Sequence, residues 1–249
     1  MSPTVWLKPG ILTVYGAALD AGKHSHNAIQ VVWPSGKSLC RFDGYEINGP
    51  LIINAQVEHQ LQMDAGWILL VEPKSDIGQQ LCDILNQQPA SSIPGLGRQT
   101  KISPKHGDDL SALLSPLFSA LALDTTLIES NTSSALTDKR IQNLLTELDQ
   151  CLLGDCLKPS SWRASEIAGR LALSESRFLH LFREQMGIAW RPYLLWRRTI
   201  CAINAISKDQ SATEAAHLSG FSDSAHLSRT FRSLFGITIR EAKHLVAPS

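Results

Sequence analysis

The stretch that decides the fold runs from Gly220 to Arg232 and has the sequence Gly-Phe-Ser-Asp-Ser-Ala-His-Leu-Ser-Arg-Thr-Phe-Arg. It follows a short helical segment containing Ala215 and Ala216, two small residues over which a second helix can cross closely. The glycine that opens the stretch allows a tight turn. Ser222 or Asp223 is suited to cap the next helix by accepting a backbone N–H. The pattern predicts a helix, a turn and a second helix.

The same unit occurs a second time, earlier in the chain. Ser-Glu-Ile-Ala at 165–168 matches Thr-Glu-Ala-Ala at 213–216 with an offset of 48. Phe182-Arg183 before Gly187 matches Phe231-Arg232 before Gly236 with an offset of 49. In the earlier copy, residues 171–173 make the turn and Ser174 is the expected helix cap. A tandem repeat of one helical unit predicts an all-α domain with two helix-turn-helix units.

The exposed face of each second helix is expected to contact DNA. Arginine grips guanine O6 and N7 in a bidentate way, and serine can serve several bases. We therefore expect Arg229 on a base edge or a phosphate, and Arg183 and Arg232 on phosphates. For each residue the alternative is a solvated helix surface, and for His180 it is a half-buried position. The candidates are Ser176, Arg177, Leu179, His180 and Arg183 in the first unit and Ser224, Ala225, Ser228, Arg229 and Arg232 in the second.

The net charge of zero hides an asymmetry along the chain. Residues 1–156 carry 10 Lys or Arg against 16 Asp or Glu, a balance of −6. Residues 157–249 carry 13 Lys or Arg against 7 Asp or Glu, a balance of +6. A basic segment joined to an acidic one is typical of a DNA-binding domain fused to a second domain with another role.

A connecting helix is predicted between the two units, from Pro192 to Ser207, since proline is favourable in the first turn of a helix. At 1.5 Å per residue it spans about 24 Å, most of the roughly 34 Å of one DNA turn. One chain would then reach two successive stretches of the major groove.

At these residues the sequence resembles the AraC/XylS family of bacterial transcription regulators. The resemblance covers about residues 160–245 and includes Tyr193-Leu194 and Arg197-Arg198 in the connecting helix. The chain departs from the family at Ile239, where proline is usual, and at Ala242-Lys243, where Tyr-Arg is usual. The resemblance implies double-stranded DNA as a partner, with RNA polymerase as a further one. The sign of regulation depends on where the bound site lies relative to a promoter.

Residues 1–75 contain short β-branched or aromatic runs separated by turn residues, a pattern typical of a barrel or sandwich. The runs are Ile11–Tyr15, Ile29–Trp33, Leu51–Ile53 and Trp67–Val71. Family members commonly carry a cupin-like barrel that senses a small molecule. We therefore expect an α+β chain with a cupin-like β-barrel domain over residues 1–106, linker helices over 107–157 and a DNA-binding domain over 158–249. The effector is not identified by the sequence.

Helices are predicted over residues 77–88 and at two leucine stripes, and a Pro-, Ser- and Gly-rich loop over 87–104. Each stripe follows the helical period on one face. The stripes either pack inside the chain or pair with a second copy, so a homodimer is an open alternative. The stripes are Leu110, Leu113, Leu114, Leu117 and Leu121, and Ile141, Leu144, Leu145, Leu148 and Leu152.

Four polar residues of the predicted barrel are candidate ligand-binding residues: His24, His26, Gln30 and His59. They match the cupin metal pattern of His-x-His, then Glu, then His, except that Gln30 stands where the Glu would be. A neutral amide is a poor ligand for a divalent ion. We therefore expect a polar pocket wall or surface histidines, with no metal and no cofactor.

Two enzymatic alternatives remain beside the regulator. A metal-dependent cupin enzyme with an accessory helical domain is motivated by the three histidines. A fusion related to alkylation-repair proteins needs an activated cysteine, usually in a Pro-Cys-His setting. None of the five cysteines (Cys40, Cys82, Cys151, Cys156 and Cys201) has Pro before it or His after it. They form no CxxC pair, and we expect free thiols in a cytoplasmic, non-enzymatic protein without a membrane span.

Overall fold

The computed structural model describes residues 4–37, 39–100, 102, 104–105, 107–130, 132–153 and 162–246. They belong to two compact units. One unit extends to Thr132 and also includes the chain from Ser228 onwards, and the other is Ser133–Leu227. This division differs from the predicted three-part organisation, because the predicted linker over residues 107–157 is shared between the two units.

The first unit contains an antiparallel sheet, and its described residues form eight strands. The strand order is β1-β2-β7-β3-β6-β8, with β4 paired to both β5 and β7. All four predicted strand runs are confirmed, and three of them belong to longer strands. The strands are β1 (Thr4–Lys8), β2 (Ile11–His24), β3 (Ile29–Pro34), β4 (Cys40–Phe42), β5 (Tyr45–Glu46), β6 (Leu51–Ile53), β7 (His59–Val71) and β8 (Ala90–Ser92).

Strand β3 is buried along its whole length because it has apolar neighbours on both faces. Ile29, Val31 and Trp33 belong to one hydrophobic cluster, and Val32 belongs to another. Side chains alternate between the faces of a strand, so this strand joins two apolar layers. Trp33 also lies opposite Trp67 of β7 in the register.

Three helices of the same unit pack on the first of these clusters. They are α1 (Asp76–Leu85), α2 (Leu110–Ala120) and α3 (Leu127–Ser130). Ser75 caps α1 by accepting from Gly78 N at 3.2 Å, and the helix ends at Asn86 in the left-handed conformation (φ 44°). The predicted loop over residues 87–104 was wrong in one respect, since it contains β8, which pairs with β6. The sequence of β8, Ala-Ser-Ser, has no β-branched or aromatic residue to signal a strand.

The remaining helices are divided between the two units. They are α4 (Lys139–Leu153), α5 (Ala164–Arg170), α6 (Glu175–Met186), α7 (Trp190–Ser207), α8 (Ala212–Leu218), α9 (Ser224–Phe235) and α10 (Ile239–Val246). Helix α9 begins in the second unit and ends in the first, which also contains α10. The connecting helix is confirmed as α7, with Pro192 in its first turn. No helix among the described residues is both long and apolar enough to cross a bilayer.

Both leucine stripes are used within the chain. Leu110, Leu114 and Leu117 are buried in the cluster that includes Trp67. Ile141, Leu144, Leu145 and Leu148 are buried with Phe178, Phe182 and Trp190 in the second unit. The stripes therefore give no support to a homodimer. The side chain of Leu152 and the predicted boundary at residues 158–161 lie outside the described part, as do the Cys151 side chain and Cys156.

Candidate DNA interface and buried histidine cluster

The first helix-turn-helix unit consists of α5 and α6. Ile167 and Ala168 of α5 are buried. The turn places Ala172 at φ 53° and is closed by a hydrogen bond from Leu173 N to Ala168 O at 2.9 Å. Ser174 caps α6 as predicted, since its Oγ accepts from Arg177 N at 3.2 Å. The turn and the cap together fix the direction in which α6 leaves α5.

Helix α6 has one buried and one exposed face. Phe178, Leu181 and Phe182 are buried against Trp190 and Tyr193. The predicted DNA-contacting residues Ser176, Arg177, His180 and Arg183 are exposed, and Leu179 is half-buried. The exposed face therefore carries hydroxyl, imidazole and guanidinium groups.

The turn between α8 and α9 repeats the chemistry of the first. Gly220 has φ 77°, and Phe221 N donates to Ala216 O at 2.9 Å. Of the two predicted caps, Asp223 accepts from His226 N at 2.7 Å, while Ser222 Oγ donates to Asp223 Oδ2 at 2.9 Å. Asp223 is therefore the cap of α9, and Ser222 supports it.

Helix α9 shows the same division of faces. Leu227 and Phe231 are buried. Ala225, Ser228, Arg229 and Arg232 are exposed, and Ser224 is half-buried. Gly236 ends the helix at φ 68°, as Gly187 ends α6 at φ 71°. The predicted DNA-contacting residues of both units are thus exposed or half-buried on the helices on which the sequence placed them.

The four polar residues predicted in the barrel come together in the first unit. His24 ends β2 and lies opposite His59, the first residue of β7. His26 and Gln30 complete the cluster, and all four side chains are buried. The ring centroids of His24 and His59 are 4.3 Å apart, and those of His26 and His59 are 5.5 Å apart. One ligand atom from each of the three histidines lies within 4.8 Å of the others.

Backbone carbonyl oxygens fix the tautomer of each ring. The three Nδ1 atoms face Gly22 O at 2.7 Å, Ala28 O at 3.0 Å and Val57 O at 2.9 Å. A carbonyl oxygen can only accept, so each Nδ1 carries the proton of the neutral ring. Burial lowers the pKa of His24 and of His26 to about 4, and it also lowers the pKa of His59. At neutral pH each ring therefore has its lone pair on Nε2.

The side-chain amide of Gln30 bridges two of these lone pairs. In the structure its Oε1 lies 2.8 Å from His26 Nε2 and 3.2 Å from His59 Nε2. Two lone pairs need donors, and the amide NH₂ offers two, so the amide orientation that turns its nitrogen toward the rings satisfies both. The opposite orientation, which the structure has, places the amide oxygen between the two Nε2 atoms.

A bulge in β2 joins this cluster to the end of α9. The register shifts between Ala21 and His24, which places Gly22 outside the regular ladder. Gly22 N donates to Gly236 O at 3.1 Å, while Gly22 O accepts from His24 Nδ1. The Phe235 ring centroid lies 6.4 Å from that of His26. Sequence reasoning missed this contact because pairing between segments far apart in the chain leaves no local pattern.

These features define a class of protein: a helix-turn-helix protein with tandem units and a β-rich N-terminal domain. The family model described as "Helix-turn-helix domain" matches residues 167–244, which contain the second unit and all of the first except the start of α5. The predicted helix-turn-helix domain in this segment, on which the resemblance to the AraC/XylS family rests, is thereby confirmed.

Among curated proteins, the "Probable transcriptional regulator LumQ" of Photobacterium leiognathi is 35% identical over 75 residues. The match spans 30% of this chain and 30% of that protein, so less than a third of the relative's length is covered.

Two solved structures of ToxT from Vibrio cholerae are similar to nearly the whole chain. An apo point variant from strain SCE256 has a TM-score of 0.50 and 11% identity, covering 96% of this chain and 98% of that chain. ToxT from strain O395 has a TM-score of 0.50 and 14% identity, covering 97% and 100%. At this identity the likeness shows the fold, and the predicted α+β class with an N-terminal β-rich domain and a C-terminal helical domain is confirmed.

Proposed function

We propose that this chain is a sequence-specific, DNA-binding transcription regulator. The observation that carries the proposal is the repeated face: α6 and α9 each expose basic and hydroxyl side chains and are preceded by equivalent closed turns. A helix of this kind fits the major groove with its first turns toward the base edges. The helix-turn-helix match over both units supports the same assignment.

Different residues of the two faces have different roles in this proposal. Arg229 and His180 contact base edges, with Ser176, Ser224 and Ser228 as further hydrogen-bonding groups. Arg177, Arg183 and Arg232 contact phosphates, which position the helices without specifying sequence. Leu179 and Ala225 are suited to thymine methyl groups, because they offer apolar surface on the same helices.

The rest of the chain acts on this module. We infer that residues 158–249 bind DNA, that the barrel within residues 1–106 senses a small molecule, and that residues 107–157 connect the two. RNA polymerase is the further partner, and the protein works in the cytoplasm. A homodimer stays a hypothesis without support from the leucine stripes.

We infer that the protein acts by binding, without catalysis. Burial raises the pKa of the Cys40 thiol to about 11 and also raises that of Cys82. Both thiols are therefore protonated at neutral pH, the reverse of what nucleophilic alkyl transfer needs.

The test is selection of bound fragments from sheared genomic DNA with the purified full-length chain, followed by titration of the enriched fragment. The expected result is a shared sequence motif and an affinity that falls steeply as salt rises, since phosphate contacts release counterions. Equal recovery of all fragments at low salt would contradict the proposal.

A further inference from the structure

We propose that His24, His26 and His59 bind one divalent transition-metal ion, with Zn²⁺ as the first candidate, and that this ion changes the contact between β2 and the end of α9. The second half of the proposal rests on the proposed function, because its consequence is a change in DNA affinity. The first half concerns the histidine cluster alone.

The three rings already make the hydrogen bonds that are typical of metal-bound histidines. Metal-bound histidines almost always donate their other ring N–H to a carbonyl or carboxylate. Here all three rings donate Nδ1–H to a backbone oxygen, at 2.7 Å, 3.0 Å and 2.9 Å, and direct Nε2 elsewhere. The three Nε2 atoms can therefore turn to one ion while each ring keeps its Nδ1 hydrogen bond.

The spacing of the ligand atoms needs a modest adjustment. The ligand atoms lie up to 4.8 Å from one another, whereas roughly 3.3 Å is expected between the ligands of a tetrahedral ion with bonds of about 2.0–2.1 Å. The rings must therefore move inward by up to about 1 Å on binding. This movement is what makes the site able to transmit a signal.

Gln30 is the fourth ligand. Its amide already contacts His26 Nε2 and His59 Nε2. The orientation with Oε1 toward the two Nε2 atoms is the one in which the amide oxygen completes the coordination of an ion; the flipped amide, with its NH₂ toward the rings, is the one that satisfies the lone pairs when no ion is bound. Three imidazoles suit Zn²⁺, Co²⁺ or Ni²⁺, and the amide oxygen adds only a weak fourth ligand, whereas Mg²⁺ and Ca²⁺ prefer sites made of oxygen ligands.

The backbone of Gly22 connects the proposed ion site to the end of α9. Gly22 O holds the His24 ring, and Gly22 N holds Gly236 O at 3.1 Å. The approach at Gly236 is so close that an added Cβ would lie 2.8 Å from His24 Nδ1 and nearer still to Gly22 O. A shift of the His24 ring therefore moves the segment against which α9 ends, one turn beyond Arg232.

Binding is measured first, on the full chain stripped with a chelator. Calorimetric titration with Zn²⁺, Co²⁺ and Mg²⁺ is expected to give one strongly bound Zn²⁺ or Co²⁺ per chain and no Mg²⁺. The visible spectrum of the Co²⁺ form is expected to have the strong bands of four-coordinate nitrogen and oxygen ligation. No stoichiometric binding, or a six-coordinate spectrum with weak bands, would overturn the site.

Two variants assign the ligands. His59→Asn should lower Zn²⁺ affinity at least about 100-fold. Gln30→Glu is expected to raise the affinity about tenfold or more, because a carboxylate replaces the weak amide ligand. This gain of affinity keeps the test decisive if removal of a buried histidine prevents folding. Unchanged affinity in Gln30→Glu would place the ion elsewhere.

Coupling is measured second, as the affinity for the enriched DNA fragment with and without Zn²⁺. A change of at least about fivefold is expected, and it should be absent in His59→Asn. Zn²⁺ binding with an unchanged DNA affinity would overturn the coupling and leave the site standing. Failure to bind DNA in either state would overturn the proposed function and the coupling, and the calorimetric result would still decide the metal site.

Discussion

Gly187 and Gly236 end equivalent helices in the same left-handed conformation, with φ of 71° and 68°, yet Gly236 also lies against the backbone of Gly22. Each of the two glycines donates its N–H to the carbonyl oxygen four residues earlier, at 2.9 Å. The two positions therefore share one backbone requirement and differ in what surrounds them, which makes them a matched pair for mutation.

Gly236→Ala should destabilise the protein more than Gly187→Ala. Both variants lose about 1 kcal/mol because alanine disfavours the left-handed region. Gly236→Ala loses at least about 1 kcal/mol more, since its Cβ meets backbone atoms of β2 that cannot move aside cheaply. Urea denaturation of the two variants checks this. Equal losses of stability in the two variants would mean that Gly22 moves away from the added Cβ with no cost in free energy.

Replacing alanine by glycine in the first turn and glycine by alanine in the second should change the free energy of unfolding in opposite directions. Ala172 at φ 53° and Gly220 at φ 77° occupy equivalent positions. Ala172→Gly should therefore raise the free energy of unfolding by about 0.5–1 kcal/mol, whereas Gly220→Ala should lower it by about 1 kcal/mol or more. Thermal melts followed by circular dichroism measure both. A loss of stability in Ala172→Gly would show that chain entropy outweighs the relief of backbone strain.

Arg229 and Arg232 separate base contact from phosphate contact. Arg229→Ala is expected to weaken binding by about 1–3 kcal/mol and to relax the base preference at one position of the site. Arg232→Ala should weaken binding to all sequences alike and reduce the salt slope by about one. Fluorescence anisotropy with single-base variants of the bound fragment distinguishes the two. Uniform weakening in Arg229→Ala would assign that residue to a phosphate.

Cys40 should be slow to react with thiol reagents in the folded chain. Its pKa of about 11 against a usual value near 9 leaves about 100-fold less thiolate at pH 8. The half-buried Cys82 should react sooner. Ellman's reagent with Cys40→Ser as the control measures both rates. Fast modification of Cys40 would contradict its burial and revive a nucleophilic role.

The ion pair between Arg197 and Asp149 should stabilise the second unit strongly. The side chain of Arg197 is 5% exposed, and its guanidinium donates to Asp149 Oδ1 at 2.6 Å. Asp149→Asn removes the charge and should cost about 3 kcal/mol. The control is Glu147→Gln, whose partner Arg170 is 49% exposed, and which should cost less than about 1 kcal/mol. Similar losses in the two variants would contradict the importance of burial.

The sequence correctly predicted the features that depend on residues close together in the chain. The helix-turn-helix units follow from small residues, turn residues and caps that lie close together in the chain, and Ser174 caps α6 as predicted. The leucine stripes predicted α2 and α4 for the same reason, because helical spacing is a local property. The α+β class followed from the strand-like runs near the start of the chain.

What sequence reasoning did not reach depends on pairing between distant segments. Strand β8 forms because it pairs with β6, where Ile52 lies opposite Ser91. Its sequence, Ala-Ser-Ser, contains no β-branched or aromatic residue that would predict a strand. The contact between Gly22 and Gly236 spans most of the chain. The sequence grouped the three histidines, but their common tautomer depends on carbonyl oxygens that the fold supplies.

The burial of Arg197 beside Asp149 determines where an isolated DNA-binding fragment of this chain should begin. Asp149 belongs to α4, and so do the leucines that cover Phe178 and Trp190. A fragment that starts at residue 158, the predicted start of the DNA-binding domain, would leave the guanidinium without this carboxylate and expose apolar side chains that α4 covers. A portable module has to start near Ser133.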